Sequence, residues 1–228
     1  MIRNVLLDLD DTIFDFHKAE RIALSRALVE MGVEVSEAVL SRYSEINRDR
    51  WQRLERGELT RTQVLVSRFE ILYRELCVSA SAEQTQALYE RYLSIGHHFL
   101  PGAEKMLEDL YGRYRLYLAS NGTACVQEGR IASANIARYF DDMFISQHVG
   151  YDKPSVEFFD VAFARISDFS REETLIVGDS LTSDIRGGNN AGIRTVWYNP
   201  KGLARIEGIR VDYEIRDLSE LSPLLATL

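Results

Sequence analysis

Two textures of hydrophobic and polar positions alternate along the chain. Residues 3–8 are a compact apolar run of strand length. From about Ala19 to Phe99 apolar residues recur instead at helical spacing: Leu24, Leu28 and Met31, then Leu65, Phe69, Leu72 and Leu76, then Leu88, Tyr92, Ile95 and Phe99. Leu40, Tyr43, Trp51 and Leu54 mark a further helix that stops near Gly57. Thr60 with Gln63 and Ser81 with Gln84 have capping-box spacing, which places two helix starts. The stretch predicts a bundle of about four helices and no strand. At Pro101-Gly102 the texture changes. Beyond it come "RLYLAS" (115–120), a helix near 123–136, "DMFIS" (142–146), a helix near 155–166, "TLIVGD" (174–179), a helix near 182–191, "RTVWY" (194–198), and "DYEI" (212–215) with a last short helix.

Short β-rich runs alternating with helices imply right-handed βαβ units, and hence a mostly parallel, Rossmann-like sheet covered by helices on both faces. The expected architecture is one α/β domain built from residues 1–14 and 100–228. Residues 15–99 form an all-α helical bundle inserted after the first strand, expected as a cap over that strand's end.

Composition narrows the function. The 228 residues are 46% hydrophobic and 27% charged, a mixture that supports a packed core. The formal charge of −8 offers no basic field to a nucleic acid polymer or an anionic membrane, so a small anionic partner would need local cations or a metal. No apolar run approaches the roughly 18 residues of a membrane helix. The opening "MIRNVLLDLDD" turns acidic too early for a signal peptide. Cys77 and Cys125 lack metal-ligand spacing and are expected as buried thiols, in keeping with a reducing cytoplasm.

In open parallel sheets ligands sit outside the carboxyl ends of the strands. The residues there are few. Strand one ends at Asp8, with Asp10 two positions on; "RLYLAS" ends at Ser120, followed by Asn121-Gly122; the loop after "DMFIS" carries Lys153; "TLIVGD" ends at Asp179, with Asp184 five positions later. Three aspartates within four positions (Asp8, Asp10, Asp11) fit either a solvated turn or a cation site. "GGNNAG" (187–192) follows a predicted helix and is assigned to C-capping and turn chemistry, not to phosphate binding. His17, His97, His98 and His148 have no spaced partner, and Arg48, Arg50, Arg53 and Arg56 lie among acids on what reads as a solvated, salt-bridged helix face.

Taken in order, "DLDDT", the serine of "LASNG", the lysine of "DKPS" and "GDSLTSD" resemble the four motifs of the haloacid dehalogenase-like hydrolases, and the helical insertion resembles one type of cap in that superfamily. The surrounding sequence is most similar to the branch acting on pyrimidine nucleoside 5'-monophosphates. The resemblance implies a phosphatase in which Asp8 is the nucleophile, forming an aspartyl-phosphate, and Asp10 the general acid and base. Dehalogenases of this fold lack an aspartate at that second position, so Asp10 favours phosphoryl transfer. It further implies Mg²⁺ held by the side chains of Asp8 and Asp179 and the backbone carbonyl of Asp10, with Asp184 one shell out and Thr12 bracing the turn. Ser120, Asn121 and Lys153 would bind the phosphate. Phe14, Phe16 and His17, on the path into the insertion, are candidates for substrate specificity by position. Other phosphorylated metabolites (phosphoglycolate, a sugar phosphate), a phosphomutase and a silent binding module are the competing functions.

Overall fold

The computed structural model describes all 228 residues. Along the chain run β1 (Asn4–Leu7), α1 (Phe16–Glu30), α2 (Glu37–Glu55), α3 (Arg61–Leu76), α4 (Ala82–Leu93), α5 (Ala103–Leu110), β2 (Arg115–Ser120), α6 (Ala124–Ala134), β3 (Asp142–Ile145) and the single turn α7 (Ser146–Val149). Then follow α8 (Val156–Ala164), β4 (Thr174–Gly178), α9 (Arg186–Ala191), β5 (Arg194–Tyr198), β6 (Tyr213–Ile215) and α10 (Leu221–Leu225). The chain divides into two compact units, Met1–Phe16 with His97–Leu228, and His17–Gly96.

The first unit holds one six-stranded sheet in the order β3-β2-β1-β4-β5-β6, with every neighbouring pair parallel. β1 is central, Asn4–Leu7 pairing with Arg115–Leu118 on one side and Thr174–Val177 on the other. The two-residue period sorts the side chains into two cores. Val5, Leu7, Leu116, Leu118, Leu175 and Val177 pack with Leu107 of α5 and Leu221 of α10, while Leu6, Tyr117, Ala119, Phe144 and Ile176 pack with Phe158 and Phe159 of α8. Burial on both faces explains why these strands read as unbroken apolar runs. The two-turn α5 carries no sequence expectation because it starts directly after Pro101-Gly102, a pair that marks a chain breaker.

Near its end the GGNNAG segment departs from expectation. Gly187 and Gly188 lie inside α9, and only Gly192 adopts the left-handed cap conformation, at φ 70°. A Cβ on Gly188 would stand 2.6 Å from a Thr195 methyl and 2.7 Å from one of Ile176, and one on Gly187 2.7 Å from the Phe159 ring, so Gly188 lets the helix approach the sheet and Gly187 lets it approach α8.

The second unit holds the four-helix segment. Thr60 begins α3 with a complete capping box: its N–H donates to Gln63 Oε1 at 2.8 Å, and the Gln63 N–H donates to its hydroxyl at 3.3 Å. Ser81 accepts the Gln84 N–H at 3.2 Å to start α4. That helix ends at Leu93, short of the expected Phe99: Ser94 caps it, Ile95 is exposed, and Phe99 instead pairs with Phe14 in the first unit. Tyr43, Phe69 and Tyr89 form an aromatic centre with ring centroids 5.0–5.8 Å apart. A buried polar thread crosses it. Asn47 donates to Glu20 Oε1 and accepts from Arg68, which also donates to Gln86, each bond 2.7 Å long.

Both cysteines are exposed, contrary to expectation. Cys77 closes α3 in a left-handed conformation, φ 53°, and Cys125 lies on the outer side of the first turn of α6. No helix is long and apolar enough to cross a membrane.

Candidate active site

The tip of β1 shows how the sequence builds the site. The Asp8 N–H donates to the Val177 carbonyl at 2.9 Å, extending the ladder by one residue and fixing Asp8 at the carboxyl edge. Leu9 turns into the core, so Asp8 and Asp10 emerge on the same side. The chain then doubles back. The N–H groups of Ile13 and Phe14 both donate to the Leu9 carbonyl at 2.9 Å. Asp11 takes a left-handed φ of 59°, and its side chain accepts the Phe16 N–H at 3.0 Å at the start of α1.

Around Asp8 the other strand ends converge. Lys153, 1% exposed, donates through Nζ to Asp8 Oδ1 at 2.7 Å, to Asp184 Oδ1 at 2.6 Å and to the Ala119 carbonyl. Asp184 accepts the Ser180 N–H on its other oxygen at 3.1 Å. It sits in the wide turn Leu181–Ile185 that follows β4, pressed against Gly178, where a Cβ would fall 2.2 Å from Asp184 Oδ2. Asp179 continues β4, its carbonyl accepting from the Trp197 indole at 2.8 Å.

Burial, then the charge of Asp184, and also that of Asp10, push the Asp8 carboxyl up to about 8 against the pull of Lys153. Loss of water around its carboxyl, then the charges of Asp8 and Asp184, raise Asp179 well above the carboxylate range. For Lys153 burial acts downward, but Asp184 and Asp8 outweigh it and hold the ammonium charged. One cation thus balances three carboxylates. Asp8, Asp179 and Asp184 each bring an oxygen within 4.8 Å of the others, a hard-oxygen set short of positive charge, which fits a divalent cation. Within this set Asp184 has both oxygens engaged, Oδ1 by the Lys153 ammonium and Oδ2 by the Ser180 N–H, so its carboxylate is fixed by the protein itself.

Other sequence candidates lie nearby in varied circumstances. Ser120 is buried, its hydroxyl accepting the Gly122 N–H at 3.2 Å. The Asn121 side-chain amide exchanges two 2.8 Å hydrogen bonds with the Lys153 backbone and so fixes the lysine loop. The buried Thr12 hydroxyl has no hydrogen-bond partner; Asp11, not Thr12, ties the turn together. Phe14 is fully buried against Phe99, with ring centroids 5.1 Å apart, and its burial leaves no ring face for a substrate. Phe16 is partly exposed and His17 exposed, both at the start of α1.

Two residues that carry no sequence signal join the site from α6. Gln127 Nε2 donates to Asp10 Oδ2 at 2.7 Å and to Ser120 Oγ at 2.8 Å, and the fully buried Arg130 donates to Asp10 Oδ1. Neither lies at a strand end. Their spacing of three places them on one helix face, but nothing in the sequence says that this face meets Asp10.

Known proteins resemble this chain in sequence and in fold. The haloacid dehalogenase-like hydrolase family matches residues 2–192. The chain is 37% identical to pyrimidine 5'-nucleotidase PynA of Streptococcus pneumoniae, over 95% of this chain and 92% of that one. It is 30% identical to pyrimidine 5'-nucleotidase YjjG of Escherichia coli, over 97% and 96%. A crystal structure of Bacillus subtilis YfnB bound to magnesium superposes with a TM-score of 0.94 at 37% identity, covering 98% of each chain. With the motif residues Asp8, Ser120, Lys153 and Asp179 gathered at the carboxyl edge of its parallel sheet, the chain belongs to the haloacid dehalogenase-like hydrolases.

Proposed function

We propose that this protein is a Mg²⁺-dependent phosphatase of small phosphate monoesters, acting on pyrimidine nucleoside 5'-monophosphates through an aspartyl-phosphate on Asp8. The observation that carries this reading is the pair of carboxyl groups Asp8 and Asp10 on one side of the β1 tip, one against an ammonium and the other beside Ser120 through Gln127. An Asp8 oxygen attacks phosphorus while the bond to the leaving oxygen breaks, and Asp10 gives that oxygen its proton. The alcohol departs. Water then loses a proton to Asp10 and attacks phosphorus, the bond to Asp8 breaks, and inorganic phosphate leaves with both carboxyl groups restored.

Asp8, Asp179 and the Asp10 carbonyl would hold the metal, which when bound supplies positive charge to the carboxylates and to the phosphate oxygens. Lys153 keeps Asp8 and Asp184 apart and in register. Ser120 and the backbone N–H groups beyond Asp8 and Ser120 offer donors to the phosphoryl oxygens. The activities named for PynA and YjjG support the substrate class, and the magnesium named for YfnB supports the metal.

The test is phosphate release from UMP, dUMP, dTMP, purine nucleotides, phosphoglycolate, glyceraldehyde 3-phosphate and hexose phosphates, with Mg²⁺ and with EDTA. Metal-dependent turnover strongest on pyrimidine nucleotides is expected. A preference for another monoester would keep the mechanism and overturn the substrate, and no release from any would overturn both.

A further inference from the structure

We propose that Gln127 and Arg130 are positioning residues that aim the Asp10 carboxylate, a role that rests on the acid–base part given to Asp10 above. Each oxygen of Asp10 meets one donor: Oδ1 the Arg130 guanidinium, Oδ2 the Gln127 amide at 2.7 Å. Both donors come from α6, one turn apart, so a single rigid element sets both bonds. The clamp is itself fixed. Arg130 donates to Gln127 Oε1 at 3.1 Å, which settles the amide's orientation: turned over, it would set an oxygen against a carboxylate. The guanidinium is fully buried, 5.2 Å from the Phe14 ring centroid and 5.9 Å from that of Phe16.

Gly122 supplies a separate sign of design. A Cβ there would stand 2.2 Å from Gln127 Nε2, so the loop after β2 leaves room for this amide. Through the same nitrogen Gln127 reaches the Ser120 hydroxyl at 2.8 Å, so the group placed for the phosphate and the group placed for the proton share one support. A buried ion pair is a poor source of stability compared with apolar packing. What it provides is direction. Asp10 is 28% exposed and stands on a turn, where an untethered carboxylate would sample several rotamers. Each carboxylate oxygen has a second lone pair, so the clamp fixes the group without closing it to a proton.

Proton donation matters most when the leaving oxygen is a poor leaving group, and this separates aim from architecture. Turnover of UMP, an alkyl phosphate, and of p-nitrophenyl phosphate, whose phenolate leaves unaided, is measured for wild type, Asp10→Asn, Arg130→Met, Arg130→Lys and Gln127→Met, with circular dichroism to confirm folding. Arg130→Met is expected to lower kcat/KM for UMP by about 10²-fold, as misplaced catalytic groups do, and that for the aryl ester by less than about fivefold, with KM for UMP nearly unchanged. Asp10→Asn should show the same bias more strongly, and Arg130→Lys should recover part of the loss. If Arg130→Met fails to fold, Gln127→Met carries the same comparison. Equal losses on both substrates in the folded Arg130 or Gln127 variant, beside a selective Asp10→Asn, would overturn the positioning role alone. An inactive wild type, or an unselective Asp10→Asn, would overturn the functional reading and this inference with it.

Discussion

All three N–H bonds of the Lys153 ammonium are committed, to Asp8, to Asp184 and to the Ala119 carbonyl. Replacing it by methionine leaves two buried carboxylates facing each other, and without Mg²⁺ the variant should lose about 3–5 kcal/mol in urea unfolding. Added Mg²⁺ should narrow that deficit; an unchanged deficit would separate the lysine from the metal site. Asp8→Asn should keep the fold and cut phosphate release by at least about 10³-fold. The raised Asp8 carboxyl also sets a pH dependence. Between its ordinary 3.8 and about 8 the folded, metal-free protein holds a proton that the unfolded chain has released, so this group's contribution to stability falls as pH rises through that window. A cation at Asp8 displaces the proton. The gain in Tm on adding Mg²⁺ should therefore be larger at pH 8 than at pH 5, and a gain independent of pH would count against Asp8 as a ligand. The meeting of Asp8, Ser120 and Asp179 at one sheet edge was legible because a strand's carboxyl end is fixed by its own sequence, and that of Lys153 because the loop after β3 opens on the same edge. Arg130 and Gln127 were not, since a helix face acquires its neighbour only in the fold, and Phe14 misled because position along the chain does not reveal burial.

The elements carry their own consequences. The turn after β4 places Asp184 so close to Gly178 that an added methyl group would overlap the carboxylate, 2.2 Å from Oδ2. Gly178→Ala should cost about 1–3 kcal/mol and weaken Mg²⁺ binding, whereas Gly208→Ala, where a Cβ meets nothing but φ is 80°, should cost stability alone. Isothermal titration with Mg²⁺ beside thermal unfolding distinguishes the two. Strands were the most readable elements: β2 and β5 fall where their apolar runs begin and end, because strands buried on both faces need no polar positions. Helix ends were less so. Leu88 and Tyr92 start a period that Ile95 and Phe99 happen to continue, and only the backbone reveals that α4 stops at Leu93.

At the scale of the molecule, the His17–Gly96 unit has a core of its own with a charged thread through it. Arg68 lies 4.8 Å from the Tyr89 ring centroid and bonds both Asn47 and Gln86, so Arg68→Met should destabilise this unit by about 3–5 kcal/mol. Hydrogen exchange would test whether the loss stays within residues 17–96 while β1 and β4 keep their protection. The thread was invisible in sequence, where Glu20 and Arg68 look like ordinary surface charges on amphipathic helices. The way the chain leaves and re-enters the sheet domain has a further consequence. Ile13 accepts the Leu100 N–H at 2.9 Å, Phe14 bridges Phe99 in antiparallel fashion, and Asp15 donates to His98 at 2.7 Å. The outgoing and returning segments are thus stitched together, with their backbones at the roughly 5 Å separation of an antiparallel pair. Such a doorway is a ready socket for exchange: any cassette whose two ends lie side by side, or a turn of a few residues, could be spliced there without asking the sheet to reopen.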